Sequence, residues 1–154
     1  MAAAFELELT ETVAAPASAV FAQLSDFDDL ARQLRERGAR VERLADGAQG
    51  LPTWRVRTAW RGVERDLHVA VTERAPDSRV RAAVTSSEFS GAITATVTPE
   101  GAGARLTVSG QAHGATLPAR MLLQSLRLGQ GRIAAGLQRR LRRYCYRIAR
   151  TAHG

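Results

Sequence analysis

The stretch FELELTETVAAPASAVFAQLSDFDDL, residues 5–30, decides how the chain is read. Phe5, Leu7, Leu9 and Val13 alternate with Glu6, Glu8, Thr10 and Thr12, the period-2 pattern of a strand with one buried face. Ala15-Pro16 ends that pattern. Pro16 suits a first helical position, where its missing N–H costs nothing, and Val20, Phe21 and Leu24 follow at helical spacing. A second short helix starts at Ser25 or Asp26, both good N-caps, with Asp28 and Asp29 in its first turn. It passes through Leu30 and Leu34 to about Arg37, and Gly38 is a natural stop.

Six further strand-like runs follow. The first covers roughly 39–45 and leads into the turn-rich DGAQGLP. TWRVRTAW then sets Trp54, Val56, Thr58 and Trp60 against Arg55, Arg57 and Ala59, and Arg61-Gly62 makes a tight turn. Val63, Leu67, Val69 and Val71 share a face in the next run. Ala75-Pro76-Asp77-Ser78 turns the chain into Val80, Ala82 and Val84. Phe89, Gly91, Ile93, Ala95 and Val97 alternate next, and PEGAG turns them into Leu106, Val108 and Gly110. Short strands joined by tight turns favour an antiparallel meander. From about Leu117 to Ala149 the period becomes 3.6. Leu122, Leu126, Ile133, Leu137, Leu141, Tyr144 and Ile148 fall within roughly 100° of one helix, and Gly129, Gly131 and Gly136 mark a bend or a close approach in its middle.

At 154 residues the chain fits one domain, 1–154. No run reaches the 18 or more apolar residues of a membrane span. The start MAAAFELEL has no basic segment and two early acids, unlike a secretory signal. A lone Cys145 excludes an internal disulfide and suits a reducing compartment, so a cytoplasmic location is expected. All 22 basic residues are Arg, with neither Lys nor Asn, a bias typical of GC-rich genes. The distribution is lopsided all the same. Residues 1–100 hold twelve Arg against 15 acids, while residues 101–154 hold ten Arg and no acid at all. Such asymmetry points to a polyanionic partner.

One strand, two short helices, six strands and a long helix is the order of the helix-grip fold. The run A-P-x-x-x-V-F-x-x-L-x-D at Ala15, Pro16, Val20, Phe21, Leu24 and Asp26 resembles the opening of the START-like SRPBCC superfamily. That group includes polyketide cyclases, lipid-transfer proteins and a type associated with carbon monoxide dehydrogenase. The resemblance covers nearly the whole chain. It implies an α+β architecture: a curved antiparallel sheet of about seven strands wraps a long C-terminal helix, with an apolar cavity between them. It carries over no catalytic residue.

On that reading the cavity is lined by Trp54, Val56, Thr58, Trp60, Leu67, Val69, Val84, Phe89, Ile93, Val97, Leu106 and Val108 from the sheet. Leu122, Leu126, Ile133 and Leu137 come from the helix. Most of these residues must simply fill a core. Ala82, Gly91, Ala95 and Gly110 on the same faces are small enough to leave room for a ligand. Glu11 is in register with Leu7, Leu9 and Val13, where desolvation would raise a carboxyl pKa and suit it to acid–base work. The plainer reading, and the favoured one, puts it at the strand end, paired with an Arg and touching water. Arg65 shares a face with Val63 and Leu67; it either pairs with Glu11 or a ligand carboxylate, or a bulge turns it outward.

His68, His113 and His153 are too scattered for a metal site, and no cofactor motif is present. Cys145 reads as a packed helix residue, and Asp26, Asp28 and Asp29 as helix caps. Arg132, Arg139, Arg143 and Arg150 form a stripe opposite the helix's apolar side. It is either a solvated face or a surface for an anionic membrane or an acidic protein. Nucleic acid is disfavoured, because aromatic stacking and recognition motifs are lacking. The expected function is to bind or carry a small hydrophobic or lipid-like molecule, with docking of the Arg stripe at the inner membrane face. The alternatives are a cyclase or dehydratase using Glu11 and Arg65, and a partner-binding accessory subunit.

Overall fold

The computed structural model describes residues 4–60 and 62–153. Strand β1 (Phe5–Val13) is followed by helices α1 (Ala17–Leu24) and α2 (Phe27–Glu36). Then come β2 (Arg40–Arg43), β3 (Thr53–Trp60), β4 (Val63–Ala75), β5 (Arg79–Thr85), β6 (Phe89–Glu100) and β7 (Gly103–Gly114). Helices α3 (Leu117–Leu128) and α4 (Gln130–His153) complete the order.

The strands form a seven-stranded antiparallel sheet ordered β1-β7-β6-β5-β4-β3-β2 among the described residues. Consecutive hairpins from β2 to β7 build most of it, and β1 closes onto β7 with Leu9 opposite Val108 and Val13 opposite Ala104. Cross-strand register puts Leu9, Val108, Ala95 and Val80 on one face, as the period-2 pattern requires. The β4–β5 ladder shifts between Val71 and Glu73, a bulge well away from Arg65. The turn expected at Arg61-Gly62 falls partly outside the described residues; Gly62 itself has φ +74°, a conformation few side chains tolerate.

Three local expectations are corrected. Pro16 precedes the first helical residue as an N-cap in extended geometry, and its carbonyl accepts from the Ala19 and Val20 N–H groups. Proline's ring fixes φ alone, so an extended ψ of 152° remains open to it. The strand expected over 39–45 is shorter, Arg40–Arg43. The helical run expected over about 117–149, with a bend at its glycines, is divided there, and α4 alone is the long C-terminal helix. Gly129 caps α3 with its N–H on the Leu126 carbonyl, and its own carbonyl then accepts from Arg132 and Ile133 to start α4. Two glycines within three residues make an unbroken helix about 2 kcal/mol less favourable than alanine would. The second short helix forms as expected: Asp26 accepts from the Asp29 N–H at 3.1 Å, and Gly38 follows the helix with φ +96°.

The sheet is covered unevenly. At one end Val13, Ala104, Leu106 and Val97 pack under Val20 and Leu24 of α1 and Cys145 and Ile148 of α4, a closed core in which Leu106 and Val20 are wholly buried. Trp54, Val56 and Val71 form a second buried group, with Phe27 tilted against Trp54 at 5.8 Å between ring centroids. At the other end no helix fills the concave face.

Candidate functional site

At that end lies a cavity of about 630 Å³. Its floor is the concave face of four strands: Leu7 and Leu9 of β1, Val108 and Gly110 of β7, Gly91 and Ile93 of β6, and Val84 of β5. Leu137, Leu141 and Tyr144, spaced four and three residues apart on α4, form its roof, and Leu30 of α2 closes one side. Gly91 and Gly110 keep the floor low. Gly91 is obligatory, since a Cβ there would lie 2.3 Å from the Gln111 carbonyl oxygen. A smaller cavity of about 230 Å³ adjoins, between Trp54, Val56 and Val69 of the sheet and Phe27 and Ala31 of α2. Leu30 and Ile93 border both spaces.

The residues expected to line one cavity are thus divided. Leu67, Val84, Phe89, Ile93, Val108 and Leu137 border the main space, and Trp54, Val56, Val69, Ala82 and Ala95 border the smaller one. Leu106 and Val97 belong to the closed core, because α1 and the end of α4 cover that part of the sheet. Thr58 and Trp60 lie beyond both cavities toward the β3–β4 turn, and Trp60 is 40% exposed. Leu122, Leu126 and Ile133 are half-buried on neither wall. The break at Gly129 sends α3 across the ends of β7 and β1, away from the concave face.

Glu11 and Arg65 are not brought together. The Glu11 carboxylate sits beneath α4, accepting from Gln138 Nε2 at 2.7 Å and Arg142 Nε at 3.2 Å. Arg65 Nη1 donates to Glu88 at 2.9 Å, and its guanidinium lies over the rings of Trp60 and Phe89. Neither residue lines either cavity. Among the described residues the two cavity walls carry no Asp, Glu, His or Cys. Their one weak acid is Tyr144, whose hydroxyl is buried without a hydrogen-bond partner among the described residues and has its pKa pushed up to about 12, chiefly by desolvation. Burial likewise raises the Cys145 thiol to about 11, which leaves it protonated and unreactive at neutral pH.

Charge gathers at the rim. Arg140 and Arg147 of α4 and Arg37 at the end of α2 border the main cavity and also a separate open cleft, shared with Arg143, Arg150 and His153. Sequence reading included Leu137 of the roof but missed Leu7, Leu9, Leu30 and this rim. The β1 residues were legible as an inner face. Arg140 and Arg147 were not separable by pattern, because they sit one step around the helix from the exposed stripe. Arg132, Arg139, Arg143 and Arg150 are all exposed. Among the described residues no three His, Cys, Asp or Glu side chains cluster to hold a metal ion, and no helix is long and apolar enough to cross a membrane.

A curved antiparallel sheet gripping a C-terminal helix over an apolar space defines the helix-grip class. A family model described as polyketide cyclase / dehydrase and lipid transport matches residues 4–146, and the chain belongs to that family, within the START-like SRPBCC superfamily. A search of curated proteins gave no match. Solved structures share the fold. A protein of Thermus thermophilus aligns with TM-score 0.68 at 18% identity, over 96% of this chain and 99% of its own. The Zhui aromatase/cyclase of a Streptomyces species gives 0.63 at 19%, over 85% and 88%. A START superfamily protein of Mycobacterium smegmatis gives 0.61 at 20%, over 90% and 98%.

Proposed function

We propose that this protein binds and carries a small hydrophobic molecule in the space between sheet and α4, exchanging it at an anionic membrane surface on the cytoplasmic side. The main support is the 630 Å³ cavity itself. It lies within the 300–1,000 Å³ usual for small-ligand sites, and its floor and roof are almost wholly aliphatic. The absence of any carboxylate, imidazole or thiol from the described walls favours carriage over the cyclase or dehydratase alternative. Proton transfer near neutral pH needs a group that titrates near neutrality, and Tyr144 at about 12 does not.

The membrane part rests on α3. Leu117, Met121 and Leu128 are 66%, 61% and 92% exposed. At about 100° per residue they fall within roughly 40° of one another, with Arg120 and Arg127 roughly 60–120° away on one side. An apolar stripe with cations beside it suits an interfacial helix. The exposed Arg132, Arg139, Arg143 and Arg150 of α4 extend the basic surface, each worth about 1 kcal/mol near anionic lipid.

Two measurements test these parts separately. Fluorescence titration with N-phenyl-1-naphthylamine, a neutral apolar probe, should show saturable one-to-one binding; a non-saturating response overturns the carrier reading. Sedimentation with anionic vesicles should retain the protein at low salt, and Leu117→Ser with Leu128→Ser should release it. Equal sedimentation with neutral vesicles, or an unaffected variant, overturns the docking.

A further inference from the structure

The arginines of this protein differ in their partners. Arg43, Arg55, Arg65, Arg79, Arg105 and Arg142 each meet a carboxylate at 3.2 Å or less. Arg37, Arg140 and Arg147, on the rim of the main cavity, form no ion pair among the described residues. Arg147 instead donates to Gln33 Oε1 at 3.1 Å and lies 5.7 Å from the Tyr144 ring centroid. Arg143 and Arg150, just outside them, are likewise without a carboxylate partner among the described residues. Cations converging without counter-charge repel one another, and a bound anion removes that repulsion.

The position of these cations carries the argument. Arg37, Arg140 and Arg147 border the apolar cavity on one side and the basic cleft on the other. On α4, Arg140 lies between Leu137 and Leu141, and Arg147 one turn beyond Tyr144, so the guanidinium row borders the aliphatic roof. A neutral hydrophobe has no use for such a rim, and a nucleic acid has no use for an aliphatic chamber behind it. A molecule with one apolar end and one anionic end matches both.

Building on the carrier reading, we propose that the cargo is an acidic amphiphile. Its apolar body lies under Leu137, Leu141 and Tyr144, and its carboxylate or phosphate head is held between Arg37, Arg140 and Arg147. Planar guanidinium groups match either head bidentately, and such charge-assisted bonds are roughly twice as strong as neutral ones.

The test is calorimetric titration of the full chain with dodecanoate, dodecyl phosphate and dodecanol, each below its aggregation concentration. One or both anions should bind about tenfold or more tightly than the alcohol, from hydrogen bonds to a charged group. The tighter anion identifies the head. Arg140→Gln with Arg147→Gln should bring the anions down to the alcohol's affinity. Arg105→Gln, which loses only a surface pair with Glu100, should change nothing. Equal binding of all three ligands overturns the acidic head while the hydrophobic-carrier reading stands. An anion preference that survives the double substitution overturns the assignment to this rim. Failure of all three to bind overturns the carrier reading and this inference with it.

Discussion

Replacing Gly110 by phenylalanine distinguishes an open chamber from a packed core. Gly110 lies on β7 between Leu7 and Ile93, on the floor of the main cavity. A Cβ added there meets only the Ala92 carbonyl oxygen, at an ordinary 3.8 Å. The new ring therefore enters the 630 Å³ space rather than the backbone, unlike any side chain at Gly91. Burying a phenyl group contributes about 1.5–3 kcal/mol, and removing glycine from a strand interior adds roughly 0.5–1 kcal/mol. The ligand-free variant should be stabilised by about 2–4 kcal/mol, an increase in Tm of roughly 4–16 °C for a chain of this size. In a close-packed interior the same ring would cost about 1–3 kcal/mol, so the two pictures differ in sign. Differential scanning calorimetry reads the stability, and titration with N-phenyl-1-naphthylamine reads the cavity, where affinity should fall at least about tenfold. A destabilised Gly110→Phe that still binds the probe would refute the reasoning, because the space would be neither empty nor the ligand site.

Other parts of the fold yield sharper numbers. Leu106→Ala, in a wholly buried position, should cost about 3–5 kcal/mol in urea unfolding, while Ile93→Ala, already 49% exposed on the cavity wall, should cost less than about 1.5 kcal/mol. Gln130→Ala with Gln138→Ala removes bonds to the Glu6 and Thr10 carbonyls and should cost about 1–3 kcal/mol, with dimerisation through the freed β1 edge visible by sedimentation velocity. The Cys145 thiol is held at about 11 in the folded chain against an ordinary 9.0, so above pH 9 the unfolded state binds fewer protons than the folded one. Stability should be full below pH 9 and then decline by up to about 1.4 kcal/mol per pH unit toward pH 11; Cys145→Ala should delay that decline until Tyr144 contributes above pH 10.

The strands and their order were legible because one face of the sheet is mostly apolar, and period-2 alternation needs no knowledge of what covers it. Core and cavity were not separable for the same reason. Leu106 and Ile93 have identical signatures, yet α1 covers one and the other lines the cavity. The helix break was signalled by Gly129 and Gly131, but a single helical wheel drawn through it aligned Leu122 and Leu126 with Ile133. The break separates the two helices, so Leu122 and Leu126 do not join Leu137 on the cavity wall, and Leu117, Met121 and Leu128 on the opposite side of α3 stay exposed. Long-range pairings were the least legible. Glu11 was expected to meet an Arg and does, but the partner, Arg142, lies 131 residues away on an element whose placement depends on the whole sheet.

That placement explains why the chamber stays open. Gln130 donates to the Glu6 carbonyl, Gln138 to that of Thr10, and His153 Nε2 to that of Ala14, so α4 is fastened along the outer edge of β1. The fit is metric: eight helical residues rise about 12 Å, and four strand residues about 13 Å. A helix held only by apolar contacts would settle over the middle of the sheet and fill the concave face with its leucines, since burial is non-directional. Polar bonds to an edge are directional and hold it to one side, where they also occupy carbonyls that an exposed edge strand would offer to another chain. With the axis fixed there, rotation about it assigns the rows. Cys145 and Ile148 enter the closed core, Leu137, Leu141 and Tyr144 roof the cavity, and Arg140 and Arg147 reach its rim. The same three bonds therefore protect the sheet edge, hold α4 clear of the concave face and bring to the cavity mouth cations that form no ion pair among the described residues.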